Sequence, residues 1–178
     1  MRTLIIYYSK TGNAEKYAKD IAKAINADVV PFKKYKVKMA KDYDTIIFGS
    51  RVIGTRIQKI DEFLRDYEQI EDKNVIIYSV GMSIVTKDTR LNLISANLLD
   101  MYHIRFYQLR GSFDYQKLSA LEKFMFSNSL RMIAHDPNAS ADQRMLLEIK
   151  ERPIEYYDQA GVERIITVLN KISAIPEA

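Results

Sequence analysis

Residues 4–22 read LIIYYSKTGNAEKYAKDIA, and this stretch decides the fold. Leu4-Ile5-Ile6-Tyr7-Tyr8 is a continuous apolar run rich in β-branched and aromatic side chains, the composition of a strand buried on both faces of a parallel sheet. Behind it, Tyr17, Ile21, Ala24 and Ile25 recur at helical spacing, with Lys16, Lys19, Asp20 and Lys23 on the other side. Asn26 is placed to end that helix. Between strand and helix lies Ser9-Lys10-Thr11-Gly12-Asn13. A helix N-terminus offers unpaired N–H groups and a partial positive charge, so a loop in this position is an anion site. Ser9, Thr11 and Asn13 add short hydrogen-bonding side chains, Lys10 adds charge, and Gly12 lets a phosphate come close to the backbone. The same residue types also suit an ordinary helix cap.

Outward from this unit, strand and helix continue to alternate. Asp28-Val29-Val30 reads as a second strand and Thr45 to Gly49 as a third, followed by a polar loop from Ser50 to Thr55. Ile60, Phe63, Leu64 and Tyr67 mark an amphipathic helix. Val75 to Val80 is a fourth strand closed by Gly81. Lys87 to Met101 reads as a helix with Leu91, Ile94, Leu98 and Met101 on one face. Ile104 to Leu109 is a fifth strand, and Val162, Ile165, Ile166, Leu169 and Ile172 form a closing helix. Strands separated by helices imply crossover connections and a parallel sheet. The expected architecture is an α/β three-layer sandwich in one domain, residues 1–178. One segment, about 112–158, interrupts the alternation. Leu118, Leu121, Phe124, Met125 and Met132 keep helical periodicity within it, Asp136-Pro137-Asn138 reads as a turn, and Met145-Leu146-Leu147 starts a second apolar cluster. It is read as a helical insertion, and long insertions in compact domains are often functional.

Composition narrows the chemistry. The 178 residues include no cysteine and only two histidines, His103 and His135. Disulfides, thiolate nucleophiles and cysteine-ligated clusters are therefore excluded, and no metal site is expected. Redox work would have to reside on an organic cofactor. Net charge is +4. The run Lys33, Lys34, Lys36, Lys38 and Lys41 reads either as a solvated loop or as attraction for an anionic partner; no nucleic-acid motif accompanies it. No apolar window reaches membrane-spanning length, so the expected location is the cytoplasm, at most peripheral on the inner face of the membrane. Neither G-x-x-x-x-G-K-[ST] nor G-x-G-x-x-G follows a strand, which leaves a single phosphate on a hydroxyl-rich loop and hence a mononucleotide.

The S-x-T-G-N core at Ser9 to Asn13, set between a buried strand and a helix, resembles the FMN-phosphate signature of the flavodoxin family. Ile46-Ile47-Phe48-Gly49-Ser50 and Ile77-Tyr78-Ser79-Val80-Gly81 are similar to the strands that lead into that family's two flavin-flanking loops. The resemblance implies a five-stranded parallel sheet of order 2-1-3-4-5. It implies FMN held by Ser9, Lys10, Thr11, Gly12, Asn13 and Ala14 at the phosphate. Ser50, Arg51, Val52, Ile53 and Gly54, with Val80, Gly81, Met82 and Ser83, would lie beside the ring. Ala14 stands where the family often has threonine, and Arg51, Val52, Ile53 and Met82 stand where carriers usually stack aromatics on the ring. The insertion, in position and character, resembles that of menaquinone-dependent protoporphyrinogen oxidases. That likeness implies a porphyrinogen substrate, a quinone acceptor and membrane contact through the insertion. Two alternatives stay open: an electron carrier serving a redox protein, and a flavodoxin-fold interaction module that has lost FMN. No catalytic acid or base stands out in the sequence, and the oligomeric state is not legible.

Overall fold

In the computed structural model, residues 1–139, 141–148 and 152–174 are described. Seven strands form the sheet, two more than the expected five, and five of them are its parallel body: β1 (Thr3–Tyr8), β2 (Asp28–Pro31), β3 (Thr45–Ile53), β5 (Asn74–Gly81) and β6 (Ile104–Phe113). Their spatial order is β2-β1-β3-β5-β6, the expected 2-1-3-4-5. Period-two alternation divides the apolar runs between two cores. Leu4, Ile6, Ile46, Phe48, Val75 and Ile77 point to one face and pack with Ile60, Phe63 and Leu64 of α2 (Ile60–Leu64) and Leu93 of α3 (Lys87–Ala96). Ile5, Ile47, Ile76 and Tyr78 point to the other and meet α1 (Asn13–Ile25) and α6 (Gln159–Ser173). Each fully buried large aliphatic side chain contributes about 1.5–3 kcal/mol relative to exposure. Because α1 lies on one face and α2 and α3 on the other, the chain changes face between the neighbouring strands β1 and β3. An open α/β sheet leaves its ligand crevice at such a point.

Several details differ from the sequence reading. The segment expected to be a loop from Ser50 to Thr55 continues β3 as far as Ile53. It then turns back through β4 (Arg56–Ile57), which pairs antiparallel with Val52 and Ile53. A two-residue strand carries too little pattern to be seen in sequence. The helix expected over Lys87 to Met101 stops at Ala96; Leu98 then takes a left-handed conformation (φ 53°). Leu91 already lies on the outer face of α3, and after the break Leu98 and Met101 are exposed too, while Leu93 and Leu99 are the residues buried. Ala24 is exposed, and α1 buries Ala14, Tyr17, Ala18, Ile21 and Ala22 instead. Asn26 ends α1 in the left-handed region, as its position suggested.

The insertion is not wholly helical. It holds α4 (Ala120–His135), α5 (Ala141–Glu148) and a seventh strand, β7 (Ile154–Tyr157), antiparallel to the end of β6. Asn138 N–H donates to the Asp136 carboxylate (2.9 Å), which makes the expected turn. The Met145 side chain and residues 140 and 149–151 lie outside the described residues. Tyr17 joins the exit of the insertion to α1. Its hydroxyl donates to the Arg110 carbonyl (2.5 Å) and accepts from the Asp158 N–H (2.6 Å), and its ring stacks on Tyr157 (4.7 Å).

Candidate functional site

Sheet register brings three loops to the carboxyl edge side by side. Tyr8 lies opposite Ser50, and Arg51 lies opposite Val80. With strands about 4.8 Å apart, the loops after β1, β3 and β5 fall within about 10 Å of one another.

The first loop leaves the start of α1 open. Gly12 is the N-terminal cap of α1 with φ 87° and ψ −19°, and no side chain caps the first turn. The leading N–H groups of α1 are thus left to a ligand. A Cβ on Gly12 would meet nothing within 4 Å, so the space before the turn is open. Lys10, Thr11 and Gly12 are exposed, and Ser9 and Asn13 are half-buried. Asn13 Nδ2 donates to the Ser112 carbonyl (2.6 Å), which fixes the loop to the end of β6. Ala14 is buried, and its carbonyl accepts from the Tyr78 hydroxyl (2.8 Å). Burial pushes the Tyr78 phenol well up, so it stays protonated and serves as donor. The ring of Tyr78 lies against Gly49, where any Cβ would overlap it. A fully buried tyrosine therefore braces the anion loop from below.

The second and third loops flank a cavity of about 100 Å³, lined by Val52, Gly54, Thr55, Ser79, Gly81, Ser83, Thr89 and Gln108 among others. Ser79 is fully buried, yet its hydroxyl has no hydrogen-bond partner. An unmet buried hydroxyl costs about 1–3 kcal/mol, and a ligand in this cavity would relieve it. Two residues that the sequence reading missed hold these loops. Asn97 accepts from Ile57 N–H (2.9 Å) and donates to the Thr55 carbonyl (2.8 Å), and Arg110 Nε donates to the Met82 carbonyl (3.1 Å). Of the expected ring-side residues, Arg51, Val52, Ile53, Gly81 and Met82 are half-buried at this edge, and Gly54 and Ser83 are exposed. Ser50 and Val80 are buried; the Ser50 hydroxyl is turned to the Gln58 carbonyl (2.6 Å), which leaves it a role in bracing the hairpin.

The insertion reaches this same edge. Ser119 and Glu122 form a capping box at the start of α4: Ser119 Oγ accepts from Glu122 N–H (3.3 Å), and Glu122 Oε2 accepts from Ser119 N–H (3.0 Å). The other carboxylate oxygen, Oε1, lies 2.9 Å from Arg51 Nη1 and 4.0 Å from Lys10 Nζ. The Ser119 backbone N–H first, then its hydroxyl, Arg51 and Lys10, hold the Glu122 carboxyl down to about 2 against the opposing effect of burial. The Ser-x-x-Glu spacing was the sequence signal that could have found this contact. Along α4, Leu121, Phe124, Met125 and Met132 form one outward stripe, 68%, 65%, 50% and 75% exposed. The lysine run from Lys33 to Lys41 is exposed, on and between the short 3-10 turns that follow β2. Its neighbours Phe32 and Tyr35 pack on Phe48 and Phe63 and offer no free aromatic face. Among the described residues no helix is long and apolar enough to cross a membrane.

The five parallel strands with helices on both faces, and the uncapped helix N-terminus at the switch point beside two further loops, define an open doubly wound α/β domain. A flavodoxin domain model matches residues 4–140, and the chain belongs to that family. FMN binding follows from that membership, and the open first turn of α1 and the unpartnered Ser79 hydroxyl fit such a group. An uncharacterized protein of Methanocaldococcus jannaschii is 29% identical over 115 residues, which are 64% of this chain and 73% of that protein. The chain is similar to a solved flavodoxin from the domain Archaea at 16% identity, over 85% of this chain and 98% of that one, with a TM-score of 0.47. It is also similar to two-electron reduced Megasphaera elsdenii flavodoxin at 18% identity, over 60% and 82% of the two chains, with a TM-score of 0.46.

Proposed function

We propose that this chain is an FMN-dependent oxidoreductase of the protoporphyrinogen oxidase type, in which the insertion forms the wall that meets the substrate. When bound, FMN supplies a two-electron carrier between substrate and acceptor. The phosphate is assigned to Ser9 to Ala14. The ring is assigned to the cleft between Arg51 to Gly54 and Gly81 to Ser83, at the cavity lined by Ser79. Tyr78, Asn97 and Arg110 act as positioning residues that hold the three loops in register.

One observation carries the substrate reading. The insertion helix α4 is pinned to Arg51 at the ring-side loop while its apolar stripe faces outward. Leu121, Phe124 and Met125 are too exposed to be packing residues of the insertion, which is the plainer role for such a stripe. A porphyrinogen is flat, apolar and edged with carboxylates, and it would find an apolar face beside Lys10 and Arg51. Its oxidation to the porphyrin removes six electrons and six protons in three two-electron rounds, each converting one quinone to its quinol. An apolar stripe on an amphipathic helix also suits approach to a quinone at a membrane surface.

The test is anaerobic mixing of FMN-loaded protein with protoporphyrinogen and a menaquinone analogue, followed by porphyrin fluorescence. Turnover that is lost on deleting residues 118–132, with FMN still bound, supports the reading. Absence of turnover, together with rapid electron exchange with a redox protein, would instead establish an electron carrier. The family match favours that second reading as readily.

A further inference from the structure

Lys10, on the loop after β1, and Arg51, near the end of β3, converge on a single atom, Glu122 Oε1. Glu122 is oddly divided. Its Oε2 is fully engaged by the N–H and hydroxyl of Ser119, at 3.0 and 2.8 Å. Its Oε1 sits at ion-pair distance from Arg51 Nη1, yet neither atom has the alignment of a hydrogen bond. Both side chains are largely out of solvent, at 14% and 16% exposure. A guanidinium carries five N–H donors in a planar fork suited to an oxyanion with two free oxygens. Glu122 can present only one oxygen, because the helix cap holds the other. The Arg51 fork is thus under-used at a place where a buried charge needs full pairing.

From this juxtaposition we infer that Arg51 and Lys10 form an oxyanion subsite beside the flavin cleft, filled in this structure by the chain's own Glu122, which an oxyanion on an apolar ligand displaces. The ligand class follows from the surroundings. The positive start of α4 favours the anion. Leu121, Phe124 and Met125, on the first turns of the same helix, offer an apolar surface to the body that carries it. Two sources share this chemistry: a carboxylate of the substrate, and the phosphate of FMN. The inference deepens the proposed function and, for the carboxylate source, rests on that reading.

The design of the test uses the division of labour within Glu122. Glu122→Gln keeps an oxygen for the Ser119 cap and removes the competing charge, whereas Arg51→Met removes the subsite. FMN-loaded parent, E122Q and the E122Q/R51M double variant are titrated with succinate at constant ionic strength, with thermal unfolding as readout. Affinities of the parent and E122Q for FMN and for riboflavin are measured by flavin fluorescence. If the subsite takes a carboxylate, half-saturation by succinate falls about tenfold in E122Q, and the gain vanishes in the double variant. If it takes the cofactor phosphate, which then reaches from the Ser9 to Ala14 loop past Lys10 to Arg51, E122Q tightens FMN about tenfold and leaves riboflavin unchanged. No change in either series overturns the subsite. A porphyrin dicarboxylate that fails to bind while the succinate result holds would remove the proposed substrate and leave the subsite standing.

Discussion

Gly12→Asn, Gly12→Ala and Gly12→Val form a series that separates two reasons for a glycine at the start of α1. The first reason is conformational. Gly12 has φ 87° and ψ −19°, a backbone that an L side chain resists by about 1–2 kcal/mol, with asparagine the most tolerant and β-branched residues the least. A Cβ there touches nothing within 4 Å, so no clash within the protein adds to the strain. In a chain of this size about 1–2 kcal/mol lowers Tm by about 2–8 °C for alanine, less for asparagine and more for valine. The second reason is access. The Cβ of all three variants enters the open space before the uncapped first turn, where the account places the phosphate. FMN affinity is therefore expected to fall at least about tenfold in all three, including the asparagine variant whose stability is nearly restored. Thermal unfolding of the cofactor-free protein reads the first effect, and flavin fluorescence titration reads the second. Equal stability of the alanine and asparagine variants would refute the strain argument. FMN binding by the alanine variant as tight as in the parent would refute the phosphate placement.

Other expectations bear on the residues beneath and around the site. Tyr78→Phe keeps the ring against Gly49 but deletes the hydrogen bond to the Ala14 carbonyl. Denaturant unfolding should show a loss of about 0.5–1.5 kcal/mol, and FMN affinity should fall with it; an unchanged affinity would show that the brace does not set the loop. Ser79→Ala removes a buried hydroxyl that has no partner in the protein. Stability without FMN should hold or rise slightly, while FMN affinity falls; a clear loss of stability instead would mean that the hydroxyl is already satisfied. Glu122 has its carboxyl lowered from the ordinary 4.5 to about 2, so its stabilising contribution is complete above about pH 4.5 and is lost as pH falls toward about 2. The stability gap between the parent and E122Q, about 1–2 kcal/mol after screening near the surface, should narrow over that window. A gap that instead narrowed between neutrality and pH 5 would place the contribution elsewhere.

Much of the frame was legible because two periodicities dominate it. The apolar runs at Leu4–Ile6, Thr45–Gly49 and Val75–Val80 are buried on both faces, so sequence pattern and tertiary demand agree there. The junction of β1 and α1 at Gly12 was legible for a local reason: the apolar run, the glycine and the helical pattern are adjacent in sequence. What escaped is non-local or brief. The hairpin closed by Arg56–Ile57 rests on Asn97, about forty residues away, whose side chain holds the backbone of Thr55 and Ile57. The helix of Lys87 to Ala96 ends early because Leu98 adopts a left-handed conformation that no sequence rule assigns to leucine. The Ser119-x-x-Glu122 spacing signals a capping box, but the second task of Glu122, facing Lys10 and Arg51, exists only once the insertion is folded over the sheet edge. Helical spacing in Leu121, Phe124 and Met125 identified the helix without saying which way the stripe would turn.

The most direct measurement is the affinity of the purified chain for FMN beside its affinity for riboflavin, which has the same ring and no phosphate. The account expects FMN to bind with flavin fluorescence quenched. Riboflavin should bind at least about a hundredfold more weakly, with the difference abolished in the Gly12→Val variant. Equal affinity for the two flavins, or a preference for FMN that survives in Gly12→Val, would contradict the assignment of the phosphate to Ser9 to Ala14.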